Sequence, residues 1–291
     1  MSDSPDVIDT RESVARQQFD TMGRYAVLSD AAYNYYDYGK DDATNTLVDY
    51  LPLHSLDEKL SDDKSIVITD KDGHVIIAYR GTDPSNPKDL ITDLTDVALK
   101  SPVSSFGYFE EALKKYDSVK TKYGNDANIV TTGHSLGGSL AYFVGKKRDA
   151  PSFVFNMGSS PFDFLPSVLS DTPSNMSTHY YVSGDPISTS QVIKDRFTSS
   201  SDRSVEVKPK DFITDVFGKL SFGLPVNLFA HSRAHFLPDK VLESIPEDAP
   251  LFSPFQQYIE SVRKERREEV PLTEKQKCLL NPNDPRCRKR P

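Results

Sequence analysis

Apolar side chains recur at near-helical spacing between Glu12 and Tyr33, where Val14, Phe19, Met22, Tyr25, Ala26 and Leu28 mark one face. This spacing predicts an amphipathic helix leading into the folded part of the chain. Two β-branched apolar runs follow, Ser65 to Thr69 and His74 to Arg80, separated by Asp70-Lys71-Asp72-Gly73. The Asp-Gly step supplies the positive φ that a tight hairpin needs, so the two runs are expected to pair antiparallel. Beyond them the pattern alternates between periods. It predicts a helix over Phe109 to Tyr123, a strand over Asn128 to Thr132, a helix over Gly138 to Lys147 and a strand over Ser152 to Asn156. A short aromatic strand, His179 to Val182, is stopped by Ser183-Gly184-Asp185-Pro186, where glycine and proline force the chain out of a sheet. Strands alternating with helices imply an α/β fold: a central, mostly parallel sheet flanked by helices, with an antiparallel hairpin near its N-terminal side.

The pattern divides the chain into a polar N-terminal segment (1–12), one α/β domain (13–260) and a charged tail (261–291). Lys208 to Ala230 is apolar but broken by glycine and proline, and the core is expected to end near Ile259. The tail has too little apolar surface to repay ordering. Its basic end, Arg286 to Pro291, reads as solvated, with contact to an anionic surface as the alternative. The Tyr33-Asn34-Tyr35-Tyr36-Asp37-Tyr38 cluster reads first as cover for a domain edge and second as the lining of a cleft entrance.

At 291 residues the chain can bury a substantial core without staples. Its net charge of -8 opposes generic nucleic-acid binding. No apolar run approaches the roughly 18 residues of a membrane span, and the polar, acidic start does not resemble a secretion signal. The expectation is a soluble protein, cytoplasmic or exported by a signal-independent route. Cys278 and Cys287 lie in the tail, with a disulfide and free thiols equally open.

The chemistry is concentrated at Gly133-His134-Ser135-Leu136-Gly137, a G-x-S-x-G sequence placed between a predicted strand and a predicted helix. In that setting the pentapeptide is a nucleophile-elbow candidate. A serine hydroxyl is a poor nucleophile at neutral pH, so it needs a histidine to take its proton and a carboxylate to orient that histidine. Three histidines follow Ser135. His179 opens a predicted strand, whereas His231 and His235 lie late in the domain, after an apolar loop. His231 is the candidate base and His235 the reserve. Asp185 sits at a strand end that projects side chains into an α/β crevice, a setting that Asp163, Asp171 and Asp195 lack. The ordinary readings are a hydrogen-bonded loop histidine at 231 and an Asp-Pro turn at 185. For the oxyanion, the N–H of Leu136 falls at a helix start, and Thr82, just beyond the second hairpin strand, is the second candidate donor.

Two separated motifs carry a family resemblance. Ala78-Tyr79-Arg80-Gly81-Thr82-Asp83 resembles the oxyanion strand and loop of the fungal-type, class 3 lipases, and Gly133 to Gly138 resembles their G-H-S-L-G-G elbow. The likeness continues through Asp89 to Leu94, Gly184-Asp185-Pro186 and His231-Ser232, and spans roughly Tyr25 to Leu237. It implies an α/β-hydrolase fold, a Ser135/Asp185/His231 triad without metal or cofactor, and hydrolysis of acylglycerol or related carboxylic esters, sometimes phospholipids. The implied partner is a lipid or other ester substrate, with transient contact at a lipid interface. Departures are Leu90, where the family usually has tryptophan, and Ser105, where many members carry histidine. The family's lid would fall at Thr95 to Ser105, where the apolar residues Val97, Leu99 and Val103 are few enough to predict weak interfacial activation. Val216, Phe217, Leu220, Phe222, Leu224 and Val226 read equally as an acyl-binding wall and as core. Three readings follow: a lipase or esterase; phospholipase A1 or acyl transfer by the same triad; and a catalytically idle interaction module.

Overall fold

In the computed structural model the antiparallel hairpin and the parallel strands join into one seven-stranded sheet whose spatial order is the order of the chain. The structure describes residues 21–81, 102–158, 177–182, 185, 188, 202–209, 231–238 and 241. The strands are β1 (His54–Leu56), β2 (Ser65–Asp70), β3 (Val75–Tyr79), β4 (Ile129–His134), β5 (Ser152–Phe155), β6 (Ser177–Val182) and β7 (Arg203–Val207). β1, β2 and β3 pair antiparallel, and β3 through β7 pair parallel. Among the described residues the α-helices are α1 (Thr21–Tyr38), α2 (Lys40–Tyr50), α3 (Pro102–Tyr123) and α4 (Leu136–Arg148).

Period-two alternation assigns each strand residue to one of two cores. Ile66, Ile68, Ile76, Ala78 and Val130 face α1, where they pack against Ala26, Val27, Leu28, Ala31 and Ala32. Val67, Val75, Ile77, Tyr79 and Ile129 face the opposite layer, against Phe109, Val119 and Leu140. Both faces of the sheet are covered, which explains why the central strands read as continuous apolar runs. In β4 the same alternation divides two threonines. Thr131 Oγ1 donates to the Ala141 carbonyl of α4 at 2.9 Å, and Thr132 Oγ1 donates to the Phe153 carbonyl at 2.8 Å. Each hydroxyl is buried with its hydrogen bond made, so neither carries an unpaid desolvation penalty.

The predicted elements occur with shifted limits. β4 runs two residues past Thr132, to His134, and so carries the pairing into the elbow. α1 continues through the tyrosine cluster to Tyr38, which places that cluster on a helix with Tyr33 fully buried and Tyr36 and Tyr38 exposed. α3 begins at Pro102, inside the stretch expected to form a lid. Three elements have no counterpart in the periodicity: α2, which buries Ala43 and Leu47, and the outer strands β1 and β7. Residues 1–12, Thr82, Asp89 to Leu94, most of Thr95 to Ser105, Asp163, Asp171, Asp195, Val216 to Val226, Cys278, Cys287 and the tail lie outside the described residues.

The glycines around β4 are required by close approach. A Cβ on Gly133 would stand 2.3 Å from the Gly137 carbonyl oxygen, and one on Gly137 would stand 2.1 Å from the Tyr79 carbonyl oxygen. Gly73, in the β2–β3 hairpin, differs: its φ is +82° but the space beside it is open. Gly137→Ala is therefore expected to lower stability by about 3 kcal/mol or more, through displacement of backbone. Gly73→Ala should cost about 1 kcal/mol through strain alone. Urea unfolding of the two variants checks this, and equal losses would contradict the close approach at the elbow.

Candidate active site

Ser135 stands between the last residue of β4 and the first of α4, with φ 59° and ψ -126°. A positive φ is rare for a residue with a Cβ and costs on the order of 1 to 3 kcal/mol, so the surroundings must hold it. They do so through the backbone. Ser135 N–H donates to the Phe155 carbonyl at 3.0 Å, and the Ser135 carbonyl accepts from Gly158 N–H at 3.2 Å and Ser139 N–H at 3.1 Å. A serine at this helix position usually caps the first turn with its own hydroxyl. Here the side chain makes no capping bond, and Oγ instead lies 2.7 Å from His231 Nε2.

His231 arrives from a segment 96 residues further along the chain. Its Nδ1 lies 2.8 Å from Asp185 Oδ2. A carboxylate oxygen accepts, so Nδ1 carries the proton and Nε2 presents its lone pair to the Ser135 hydroxyl. Asp185 follows β6 and is fixed by its N–H bond to the Val182 carbonyl at 3.1 Å. Its Oδ2 also accepts from Ser188 Oγ at 2.5 Å. Asn156, at the end of β5 with φ 39°, accepts from Val182 N–H at 2.9 Å through its side-chain oxygen, so β5 and β6 are locked where they deliver Asp185. Ser135, Asp185 and His231 are all buried.

Two further imidazoles surround this group. His134 Nε2 lies 2.7 Å from the His231 carbonyl oxygen, and its Nδ1 lies 3.1 Å from the Tyr33 hydroxyl. Burial, followed by the charge that His231 would carry, holds His134 well below the usual histidine range. His179 Nε2 accepts from Met157 N–H at 3.2 Å, and burial pushes the histidine down to about 3. Both are neutral supports at neutral pH. The Tyr33 hydroxyl is pushed up to about 12 by burial, against the lowering influence of Arg233, and stays protonated.

The structure thus brings together Ser135, Asp185 and His231. Leu136 opens α4 beside them, with its N–H among the first-turn donors that have no acceptor within a helix. Gly81, the last described residue before Thr82, packs against the elbow: a Cβ there would meet the His134 carbonyl oxygen at 2.5 Å. His235, the reserve base, is buried within the 3-10 turn Arg233–His235. Sequence reasoning missed His134, Tyr33, Asn156 and Ser188 as supports. The one available signal was the position of His134 inside the elbow motif. Among the described residues no helix is long and apolar enough to cross a membrane.

A family model described as phospholipase-like, a Tle-like phospholipase domain, matches residues 24–221. Among solved structures, Lip2 lipase from Yarrowia lipolytica is 19% identical, with 67% of this chain and 83% of that one covered and a TM-score of 0.40. The lipase of Rhizopus microsporus var. chinensis is 17% identical, with 62% and 68% covered and a TM-score of 0.37. A mutant form of MDLA from Penicillium cyclopium is 12% identical, with 79% and 96% covered and a TM-score of 0.47. Comparison with curated proteins finds no match.

The two buried neutral histidines set an acid limit on stability. Their folded-state values lie below the unfolded value of 6.5, so protonation favours the unfolded chain. Their contribution is complete above pH 6.5 and is lost as pH falls toward about 3, the folded value of His179. The loss is on the order of 1 kcal/mol per pH unit for each histidine. Thermal unfolding midpoints should stay level from pH 8 to about 6.5 and then drop. A midpoint still level at pH 4 would show that these rings are not held neutral.

Proposed function

The chain belongs to the phospholipase-like family of Tle-like phospholipase domains, and from that membership we propose that it hydrolyses the carboxylic esters of phospholipids through a Ser135/His231/Asp185 triad. It is a carboxylic ester hydrolase acting on lipid esters. The observation that carries the residue assignment is the unbroken line from Ser135 Oγ to His231 Nε2, 2.7 Å, and from His231 Nδ1 to Asp185 Oδ2, 2.8 Å. Both distances lie in the range needed for proton transfer and for orientation of the base.

In this reading Ser135 Oγ attacks the ester carbonyl carbon while its proton passes to His231 Nε2. Asp185 stabilises the imidazolium through Nδ1. The carbonyl π pair moves onto oxygen, and the resulting oxyanion is met by Leu136 N–H, with Thr82 as the proposed second donor. Collapse breaks the bond to the alcohol oxygen, which takes the proton from Nε2 and leaves as the lysolipid. Water then attacks the acyl-enzyme, gives a proton to His231 and releases the fatty acid, while Ser135 recovers its hydrogen. All of this chemistry is carried by the chain's own side chains and peptide groups.

Ser135→Ala should lower turnover of a short nitrophenyl ester by about a thousandfold or more and abolish covalent labelling by a fluorophosphonate. Full turnover in that variant would refute the triad. Fatty acid release from phosphatidylcholine vesicles should exceed release from a triacylglycerol emulsion. The opposite ranking would replace phospholipid by acylglycerol as the substrate, and equal preference for soluble short esters would mark an esterase.

A further inference from the structure

The catalytic base in the proposed triad hangs on a short irregular segment outside the sheet, yet its Nε2 must stay within hydrogen-bond reach of a serine fixed by β4 and α4. Packing around that segment shows what sets the distance. His134 is the neighbour of Ser135 in the elbow, and its Nε2 reaches the carbonyl oxygen of His231 at 2.7 Å. A carbonyl only accepts, so His134 Nε2 carries the proton and Nδ1 is left as an acceptor. That acceptor faces the Tyr33 hydroxyl at 3.1 Å. The same hydroxyl lies 3.3 Å from the His134 carbonyl oxygen, so Tyr33 spans the ring and the backbone of one residue. A Cβ on Gly81 would come within 2.4 Å of that hydroxyl, so the Tyr33 side chain occupies space left free by a glycine.

A second attachment lies two residues past the base. Arg233 Nε donates to Asp30 Oδ1 at 2.5 Å, and the guanidinium lies 4.2 Å from the centroid of the Tyr33 ring. Asp30 and Tyr33 are one helical turn apart on α1 and share a face. The ion pair is largely buried, with the Asp30 side chain 10% exposed, so loss of either partner would leave a desolvated charge behind. Ser232, between the two attachments, accepts from Ala234 N–H and opens the 3-10 turn.

We propose that His134 and Tyr33 are positioning residues that clamp the backbone of His231 to the elbow, with the Asp30–Arg233 pair anchoring the same segment to α1. The clamp makes the base and the nucleophile one rigid unit, since the residue beside Ser135 holds the main chain of His231 itself. The hydrogen bonds of these two side chains run to the His231 carbonyl, to each other and to the His134 carbonyl, and not to Ser135 Oγ or the His231 ring. Their effect is on the geometry of proton transfer, where a shift near 1 Å can cost on the order of a hundredfold in rate. The inference rests on the proposed triad.

The test uses the full chain, a short nitrophenyl ester and a fluorophosphonate probe, on His134→Leu, His134→Gln, Tyr33→Phe and Ser135→Ala. His134→Leu removes the donor to the His231 carbonyl and should lower kcat roughly 10- to 100-fold with KM little changed. Its labelling rate should fall in step while the final extent of labelling stays complete. A protein with an irreversibly misfolded fraction does the reverse, losing extent while the remaining molecules label at the wild-type rate, and a reversible loss of stability is recognised by urea unfolding of the same variant. His134→Gln, whose Nε2 places an N–H near the same spot, should recover most of kcat. Tyr33→Phe should lower kcat roughly 3- to 10-fold, and it carries the test if His134→Leu fails to fold. Wild-type kcat in both His134→Leu and Tyr33→Phe, or in Tyr33→Phe alone where the leucine variant does not fold, overturns the clamp while leaving the triad standing. Ser135→Ala that keeps its turnover removes the triad, and the clamp with it.

Discussion

A Cβ on Gly137 would stand 2.1 Å from the carbonyl oxygen of Tyr79, and this near-contact between the first turn of α4 and the end of β3 is the constraint on which the active end of the molecule depends. Side chains would hold a helix several ångströms from a strand. Glycines at 133 and 137 let the backbone of α4 fold back over β4 and settle against the neighbouring strand. The turn that results is too sharp for ordinary dihedrals, so Ser135 takes a positive φ and its hydroxyl is carried clear of the helix it would otherwise cap.

That strained residue is stable because its peptide groups are fully engaged. Phe155, Gly158 and Ser139 take up its N–H and its carbonyl, which offsets a cost of about 1 to 3 kcal/mol and keeps the hydroxyl free for His231. The sheet makes the offset possible: β4 and β5 pair in parallel through His134 and Phe155, so the end of β5 arrives where the elbow needs an acceptor. The next strand repeats the device with a different residue. Asn156 bonds the end of β6, and Asp185 follows three residues after that strand with its carboxylate turned toward His231. The parallel strands β4 and β6, on either side of β5, thus deliver the proposed nucleophile and acid from the same C-terminal edge of the sheet.

Legibility of this arrangement in the chain followed burial. β2, β3 and β4 pack on both faces and read as unbroken apolar runs, and the Asp-Gly step between β2 and β3 marked their hairpin. β1 is three residues long, and β7 is the outermost strand among the described residues, with Arg203 and Ser204 exposed. Backbone pairing, with β2 for the one and β6 for the other, accounts for both strands, and pairing leaves no mark in hydropathy. α2 buries only Ala43 and Leu47, which is too little apolar repetition to announce a helix. The tyrosine run at 33–38 gave an edge-cover expectation, whereas helical geometry separates its members: Tyr33 turns inward to His134, and Tyr36 outward onto Arg80.

Order along the chain and local context put forward Ser135, Asp185 and His231 as candidates, with His235 in reserve, because strand–turn–helix context and strand ends are local properties that glycine, proline and β-branched residues write directly into sequence, whereas the histidine was chosen by its late position alone. Local chemistry also set the fold class, through alternation between two hydrophobic periods. The supports of the base were a different matter. Asp30, Tyr33 and His134 sit 203, 200 and 97 positions from the residues of the 231–233 segment that they hold, and contacts at such separations arise from how layers pack. A buried tyrosine, a second histidine and an ion pair each look ordinary in isolation. Their common direction, toward one backbone carbonyl and one guanidinium, came into being when α1 settled on the sheet.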